Sequence, residues 1–482
     1  MDLVSDAAQR FGDAPALITP DRHRSFAACD IESARMAATL ASLGIVQGDI
    51  VAVVAPNSPE LLLLLMALLR IGAVAAPVNH RFPAGHIEGV LQRLDPKLIL
   101  IDLSTCPNLS VEPAASFEAF VNRAAEFGPG PFTAAMEMDR PASIIHTSSS
   151  SGSPKAALHS LSSHWHNASG SAENLPFAPG DCWLLSLPLY HIGGYSMLFK
   201  CLIGGGAIAV NDPATPIGES LSVLPVTHLS LVPTQLYRML ASPRGVNLLK
   251  GLRAILLGGS AAGRPLLEKA VGAGLPIYLT YGSTEMGSQI STSRQPITAA
   301  TDDSGALLPY REVSLSAEGE ILVKGPCLFM GYLEADGIRS ARDEEGWFHT
   351  GDDGTISDDG TITVLGRRDN MFISGGENIH PEEIEKALTA IDGIEEALVA
   401  PAPDPEYGMR PMAWVLADGN EPDDTEIARQ LTELLGRLKT PVAFNRVQEW
   451  VTITGSAKID RRWYGKIMDN GQWIIMEGDG KE

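Results

Sequence analysis

Hydrophobic and polar residues alternate in blocks along the first two thirds of the chain. Ile50–Val54 is a short β-branched run of the kind that forms a buried strand. Ser58, Pro59 and Glu60 then supply a capping hydroxyl, a first-turn proline and an acid at the positive end of a helix. The apolar run Leu61–Leu69 therefore predicts a buried helix, which is far shorter than the roughly 20 residues that cross a bilayer.

The same succession of strand and helix patterns recurs downstream. Further strands are predicted at Ala73–Val78, Trp183–Leu187, His228–Val232 and Ala254–Leu257. Short apolar strands that alternate with helical patterns are typical of an α/β protein.

The pattern changes after about Glu312. Short strands separated by Asp/Gly turns are predicted at Glu320–Lys324, Thr355–Ile356 and Thr361–Leu365. Asp359-Gly360 is a hairpin signal between the last two of these strands. Helices are then predicted from Pro381 and over 424–438, so an α+β C-terminal part follows a boundary near 367–370.

Gly204–Gly206 begins a GxGxxA pattern that resembles a dinucleotide-binding fingerprint. The glycines precede the predicted strand Ala207–Val210, whereas the fingerprint requires a strand before the glycines and a helix after them. The segment is therefore predicted to be a turn.

Composition narrows the functional classes. The chain has 482 residues, enough for two or more domains, and a net charge of −22. Such an acidic protein is a poor candidate for nonspecific binding to nucleic acid or to anionic membranes. The five cysteines are scattered without metal-ligand spacing, which predicts neither a zinc site nor a disulfide framework and fits a reducing cytoplasm. The N-terminus lacks the pattern of a secretory signal.

The most unusual local composition lies in 147–155, where hydroxyl side chains, one glycine and a lysine are concentrated. Small residues let backbone N–H groups approach an anion, and hydroxyls and a lysine add donors and charge, so the segment is a candidate phosphate loop. It is not a Walker A loop, because GxxxxGK[ST] is absent from the sequence. A flexible Ser-rich linker explains the same composition.

Four further segments occur in a characteristic order. They are Tyr281–Glu285, Gly346–Asp352, the stretch from Gly366 to Glu385, and Gly455–Arg461. Together with the hydroxyl-rich loop they resemble the adenylate-forming superfamily of acyl-CoA synthetases, luciferases and peptide-synthetase adenylation domains, over about residues 13–462. The resemblance implies an N-terminal domain of stacked α/β sheets with a β-rich subdomain (1–366), a hinge (367–369) and a small mobile α+β domain (370–482).

The resemblance also implies a two-step reaction. A carboxylate attacks the α-phosphorus of ATP to give an acyl-adenylate and pyrophosphate, and the thiol of CoA then displaces AMP, with Mg²⁺ as the metal. The residues expected at the ATP phosphates are Thr147, Ser148, Ser150, Ser151, Gly152 and Lys155. The family has glycine where this chain has Ser149, and a serine there would be strained if the position needs a positive φ.

Further roles around the nucleotide come from the same resemblance. Thr284 and Glu285 would share Mg²⁺, and Asp352 and Arg367 would contact the ribose hydroxyls. The residues expected near the adenine and the rest of the nucleotide are Gly258, Gly259, Ser260, Tyr281 and Gly282. A turn-capping Asp and a solvated Glu are the structural alternatives for these acids.

The C-terminal part would carry the catalytic residues that change position between the two half-reactions. Lys458 matches the catalytic lysine that bridges the attacking carboxylate and the α-phosphate, and Asp369 matches the hinge. The residues expected along the CoA tunnel are Ser374, Gly375, Gly376 and Glu377.

The acyl pocket is expected to include His191, Ser230, Ser288 and Gln289. His191 is also a catalytic candidate, and for it a core-packing or gating role fits as well as direct contact with the substrate carboxylate. Several stretches, among them Trp183–His191 and Ser230–Arg238, resemble one branch of the family whose acid carries an aromatic ring and a second carboxylate. Three alternatives stay open: a CoA ligase for another aryl or medium-chain acid, an enzyme that loads a carrier protein, and an inactive ATP-binding protein. The partners expected are small molecules, with a homodimer as a further option.

Overall fold

The computed structural model describes residues 2–107, 109, 111–130, 137–147, 154–374, 377–404, 407–452 and 459–466. Its α-helices are α1 (Leu3–Phe11), α2 (Phe26–Ser42), α3 (Pro59–Ile71), α4 (Ala84–Leu94), α5 (Phe117–Glu126), α6 (Leu161–Asn174), α7 (Ile192–Gly204), α8 (Ile217–Val223), α9 (Pro233–Leu240), α10 (Pro243–Lys250), α11 (Arg264–Gly272), α12 (Pro381–Thr389), α13 (Asp424–Leu435) and α14 (Arg461–Lys466).

The strands occur in all parts of the described chain. They are β1 (Pro15–Ile18), β2 (His23–Ser25), β3 (Ile50–Val54), β4 (Val74–Pro77), β5 (Leu98–Ile101), β6 (Ala114–Ser116), β7 (Pro141–Thr147), β8 (Lys155–Ser160), β9 (Cys182–Leu184), β10 (Ala207–Ala209), β11 (His228–Leu231), β12 (Ala254–Leu257), β13 (Ile277–Ser283), β14 (Ser288–Thr292), β15 (Ala306–Leu307), β16 (Glu312–Leu315), β17 (Glu320–Lys324), β18 (Gly331–Glu334), β19 (Gly337–Arg339), β20 (Phe348–Ile356), β21 (Ile362–Arg367), β22 (Phe372–Ser374), β23 (Glu377–Ile379), β24 (Ile394–Asp404), β25 (Gly408–Ala417) and β26 (Phe444–Val447).

Two large mixed sheets form the N-terminal part. One has the strand order β15-β14-β13-β12-β11-β9-β10-β1-β2, and the other has the order β19-β18-β8-β7-β4-β3-β5-β6. Their central strands are parallel, whereas β7, β8 and β18 pair antiparallel. One apolar core contains α3, α7 and inward-facing residues of both sheets, so these two helices are packed between the sheets. The predicted α/β class is confirmed.

The buried helix predicted from Leu61–Leu69 is confirmed as α3. Ser58 Oγ accepts a hydrogen bond from the Leu61 amide, Pro59 occupies the first turn, and Gly72 ends the helix with a φ of 75°. Every residue of Leu61–Ile71 is buried, which explains why the run is apolar on all sides.

The predicted turn at Gly204–Gly206 is also confirmed. Gly205 ends α7 with a φ of 87°. A Cβ on Gly204 would lie 2.0 Å from the carbonyl oxygen of Phe177, so chain packing excludes a side chain there. The glycines serve a helix end rather than a nucleotide.

A third sheet, β16-β17-β20-β21, follows, and a fourth, formed by β22 to β26, is C-terminal. The hairpin predicted at Asp359-Gly360 is confirmed, since β20 and β21 pair antiparallel around it. Several predicted bounds were wrong. β9 ends at Leu184 rather than Leu187, and β21 covers Ile362–Arg367 rather than Thr361–Leu365. β20 is longer than Thr355–Ile356 because polar residues at its start are paired by the sheet, and α13 ends at Leu435 rather than residue 438 because Gly436 adopts a φ of 86°.

All five cysteines are free and buried. Within the described part of the chain, no helix is long and apolar enough to cross a membrane.

Candidate active site

Three predicted nucleotide residues meet where the first large sheet and the β16–β21 sheet adjoin. Asp352 and Arg367 are paired by the register of β20 and β21. Arg367 Nη1 donates to Asp352 Oδ1 at 2.9 Å, and the Tyr281 hydroxyl donates to Asp352 Oδ2 at 2.6 Å. We call these three residues the ribose corner.

The charges of the ribose corner compensate one another. Burial raises the pKa of Asp352, and the adjacent Arg367 guanidinium opposes that rise. Burial together with the Asp352 carboxylate raises the pKa of Tyr281 well above its ordinary value, so its phenol stays protonated and donates. The result is an oriented carboxylate that is able to accept hydrogen bonds from ribose hydroxyls.

Glu285 and Lys155 are brought together by Tyr332. The Tyr332 hydroxyl donates to Glu285 Oε1 at 2.7 Å, and Lys155 Nζ lies 5.2 Å from the centre of the Tyr332 ring. Pairing of β8 with β18 places Tyr332 opposite Ala157, two residues from Lys155. Tyr332 was not predicted, and its sequence context offers no signal for this role.

The donor set around Glu285 fits a magnesium ion that is shared with nucleotide phosphates. Glu285 Oε1 accepts from Tyr332, and Thr284 lies beside Glu285 in the turn between β13 and β14. Mg²⁺ is usually bound by one or two protein ligands together with substrate phosphates. No cluster of three or more acidic, His or Cys ligands occurs among the described residues.

The candidate phosphate loop connects two neighbouring antiparallel strands. Thr147 ends β7, Lys155 begins β8, and the two residues are register partners. The predicted phosphate-contact residues Ser148, Ser150, Ser151 and Gly152, and with them Ser149, lie outside the described residues.

The glycines predicted near the nucleotide are required by close packing and backbone conformation. A Cβ on Gly258 would lie 2.6 Å from Thr280 Cγ2, and one on Gly282 would lie 1.8 Å from the Ser288 carbonyl oxygen. Gly259 has a φ of 86°, which disfavours a side chain. Ser260 follows these glycines and is exposed.

Two predicted acyl residues are connected by two residues that the sequence analysis missed. Lys200 Nζ donates to Gln289 Oε1 at 2.7 Å and lies 4.7 Å from the centre of the Trp183 ring. The Trp183 indole in turn donates to Ser230 Oγ at 3.1 Å. Ser171 Oγ also donates to Gln289 Oε1, at 2.8 Å. We call Lys200, Gln289, Trp183 and Ser230 the acyl cluster.

Lys200 is a buried cation without a carboxylate partner among the described residues. Its relative exposure is 6%, and burial, with a smaller effect of Arg311, lowers the pKa of its ammonium to about 7. Arg311 Nε donates to the Gln289 carbonyl oxygen at 2.7 Å, so a second cation borders the cluster. The sequence signal for Lys200 was available, because it is the one charged residue of the apolar segment Ile192–Gly204.

The other predicted acyl residues lie at the edges of this region. His191 is the N-cap of α7 and is exposed, and its ring lies 4.7 Å from that of Tyr190. Ser288 begins β14 with a φ of 126°, an unusual value for serine. The Ser288 carbonyl approaches Gly282, as described above.

The hinge prediction falls on a short 3₁₀ helix, Arg368–Asn370. Arg367 Nη2 lies 3.7 Å from Asp369 Oδ2. Ser374 is buried at the end of β22, and Glu377 is its strand partner in β23. Gly375, Gly376 and the predicted catalytic Lys458 lie outside the described residues.

Two family models match the chain. The AMP-binding enzyme family matches residues 4–333, and the AMP-binding enzyme C-terminal domain matches residues 383–458. The 2-succinylbenzoate–CoA ligase of Salmonella typhimurium is 34% identical over 93% of this chain and 94% of its own length.

Solved structures of o-succinylbenzoate CoA synthetase from Bacillus subtilis match nearly the whole chain. The complex with the acyl-adenylate intermediate OSB-AMP has a TM-score of 0.85 at 29% identity, covering 96% of this chain and 97% of that one. The complex with ATP and magnesium has a TM-score of 0.83 at 29% identity, covering 96% and 98%. A double mutant bound with its product analogue OSB-NCoA has a TM-score of 0.70 at 28% identity, covering 97% and 98%.

Proposed function

Because the chain belongs to the AMP-binding enzyme family, we propose that it is an AMP-forming ligase that joins 2-succinylbenzoate to CoA, a step of menaquinone or phylloquinone biosynthesis. The observation that carries the substrate assignment is Lys200. A buried ammonium without an acidic partner among the described residues is suited to an anionic ligand, since burying an unpaired charge is costly. 2-Succinylbenzoate has a second carboxylate that can supply the missing negative charge.

In the first half-reaction, the ribose corner holds the nucleotide while the succinyl carboxylate attacks the α-phosphorus and pyrophosphate leaves. Asp352 accepts hydrogen bonds from the ribose hydroxyls, with Arg367 keeping the carboxylate ionised and oriented. Glu285 and Thr284 would hold Mg²⁺, which when bound would neutralise phosphate charge, and Lys155 adds a further cation. Positioning and charge neutralisation account for most of the catalysis of phosphoryl-type transfers.

The second carboxylate of the substrate is assigned to Lys200. The ammonium already has an amide oxygen and an aromatic face as partners, and the bound carboxylate becomes its counter-ion. The Trp183 indole, which donates to Ser230, lies beside the ammonium and helps to fix its position. A simple fatty acid lacks the group that Lys200 is placed to bind.

The C-terminal part, from residue 370, is proposed to move about the hinge at 367–369 between the half-reactions. Lys458 is the proposed catalytic lysine of adenylation, and Ser374 to Glu377 are proposed to line the path of the CoA thiol. A Lys458→Ala variant separates these roles: it should lose adenylation and retain transfer of a preformed acyl-adenylate to CoA. Equal loss of both half-reactions would refute the role of the lysine.

The cellular location is proposed to be the cytoplasm, where reduced thiols persist. All five cysteines are free and buried, as expected for a chain that does not depend on disulfides. A homodimer is compatible with these assignments.

The deciding experiment measures pyrophosphate release with ATP, Mg²⁺ and CoA for 2-succinylbenzoate, benzoate, octanoate and acetate. The expected result is a strong preference for 2-succinylbenzoate, with the CoA thioester identified by mass spectrometry. Preference for benzoate or octanoate would reject the substrate and retain the reaction. Adenylation without a free CoA product would indicate a carrier-protein-loading enzyme. Inactivity with every acid, also in a Ser149→Gly variant, would reject the enzyme itself.

A further inference from the structure

A hydrogen bond between two side chains connects the N-terminal and C-terminal parts. The Tyr237 hydroxyl in α9 donates to Glu395 Oε2 in β24 at 2.6 Å. Burial and Glu395 raise the pKa of Tyr237 to about 12, so the phenol stays protonated and remains the donor. Neither residue belongs to the ribose corner, the acyl cluster or the predicted CoA path.

A second contact between the two parts lies next to the predicted hinge. Asp353 is buried on β20, and its Oδ2 lies 3.6 Å from Nε2 of His380, the N-cap of α12. Its Oδ1 lies 3.2 Å from Arg368 Nε, and Arg368 Nη1 donates to Glu320 Oε2 at 3.1 Å. Asp353 therefore contacts both a hinge residue and the start of the C-terminal helix.

Helix α12 also packs directly on the strand that precedes the hinge. Asn370 Nδ2 donates to Glu382 Oε1 at 2.6 Å, and a Cβ on Gly366 would lie 2.6 Å from Glu382 Oε2. Lys386 and Asp302 form an additional ion pair at 2.5 Å, but both side chains are exposed, and such pairs contribute little. The two buried or partly buried contacts, Tyr237–Glu395 and Asp353–His380, are the ones able to fix an orientation.

The whole-chain match to the Bacillus protein differs between its solved structures. The TM-scores are 0.83 and 0.85 for the ATP and OSB-AMP complexes and 0.80 for the unliganded form, against 0.70 for the OSB-NCoA complex of the double mutant. A rotation about 367–369 would carry Glu395 and His380 away from their partners.

We propose that Tyr237–Glu395 and Asp353–His380 anchor the C-terminal part in the orientation that serves adenylation, with Tyr237 as a positioning residue. The proposal rests on the proposed two-step function. Because the anchors break when the C-terminal part rotates, they set the balance between the two half-reactions without touching a substrate. Their loss lowers adenylation and leaves acyl transfer to CoA unchanged or faster.

The test compares Tyr237→Phe, Glu395→Ala and the double variant with wild type. Tyr310→Phe is the matched control, because its ring lies beside His166 in the N-terminal part. Adenylation is measured as pyrophosphate release without CoA, and thioesterification as single-turnover transfer from preformed acyl-adenylate. Tyr237→Phe is expected to slow adenylation by about threefold to tenfold, the range expected for the loss of one ordinary hydrogen bond at a partly exposed site. The double variant should be no slower than the single variants, because all remove one interaction.

An equal fall in both half-reactions, additive effects, or no change would overturn the proposal. A second measurement does not depend on activity. Spin labels at Asp21→Cys and Glu433→Cys, both exposed positions, report the distance between the two parts in the full chain. The native cysteines are buried and compete little for label. Tyr237→Phe should broaden or shift the distance distribution, and an unchanged distribution would refute the anchor even if no acid proves to be a substrate.

Discussion

The ribose corner and the acyl cluster each contain one buried charged side chain, Asp352 and Lys200, but among the described residues only the charge of Asp352 is compensated by an ion pair. In the ribose corner, Arg367 and Tyr281 satisfy both oxygens of Asp352 before any ligand arrives. In the acyl cluster, Lys200 has an amide oxygen and an indole ring but no carboxylate among the described residues. The first arrangement suits a neutral diol, and the second suits an anion.

This difference has consequences for stability and for specificity. A compensated pair is stable in the absence of ligand and orients a common cofactor, whereas an uncompensated buried cation is held at a cost in folding free energy. The lowered pKa of Lys200 expresses that cost. Lys200, which has no carboxylate partner among the described residues of the free protein, is therefore the residue expected to discriminate between substrates.

The largest effect is expected for Lys200→Met. Removing the buried cation should lower kcat/KM for 2-succinylbenzoate by roughly 10²–10³-fold, the range expected for truncating one partner of a buried charge pair. Activity on a monocarboxylic analogue without the benzoate carboxylate should change little. Lys324→Met is the matched control, because Lys324 also lies over an indole ring, that of Trp347, at 4.1 Å. Equal losses for both acids would refute the specificity role.

A smaller loss of activity, equal for every acid, is expected for Asp352→Asn. The variant removes the closer of the two carboxylates that contact Arg367 and the charged acceptor proposed for the ribose hydroxyls, so kcat/KM for ATP should fall by about 10–10²-fold. The fall should be the same with every acid, as measured by initial rates at varied ATP. A fall that depended on the acid would show that the two regions are not independent.

The pH dependence of adenylation should report Lys200 directly. Its pKa is lowered to about 7, so the charge is present below that pH and lost above it. In the free enzyme, kcat/KM for 2-succinylbenzoate should therefore fall by about tenfold per pH unit above the Lys200 pKa. Lys200→Arg keeps its charge, and its profile should lack this fall. An identical fall in Lys200→Arg would assign the titration to another group.

The smallest effect is expected for Tyr281→Phe. The substitution removes one of the two donors to Asp352 and leaves Arg367 in place, so kcat/KM for ATP should decrease by about threefold to tenfold. Initial rates at varied ATP are measured for this variant and for Asp352→Asn, so that the two losses of kcat/KM can be compared. A loss as large as that of Asp352→Asn would mean that the tyrosine does more than orient the carboxylate.

Much of the fold could be predicted from local patterns. Ile50–Val54, Ala254–Leu257 and Glu320–Lys324 are strands with the predicted bounds, and α3 begins and ends at its predicted signals. These elements were readable because apolar periodicity and capping residues act over a few neighbouring positions. The start of β20 was not predicted, because its polar residues adopt a strand conformation only by pairing with β17 and β21.

The order of motifs along the sequence by itself determined the family resemblance and the candidate residues Glu285, Asp352 and Arg367. Only the tertiary structure decided that Tyr332 binds Glu285 and that Lys200 joins Gln289 to Trp183. These partners are 47, 89 and 17 residues apart in sequence. Local patterns carry no information about such contacts, because sheet register and the packing of α7 between two sheets determine which distant side chains meet.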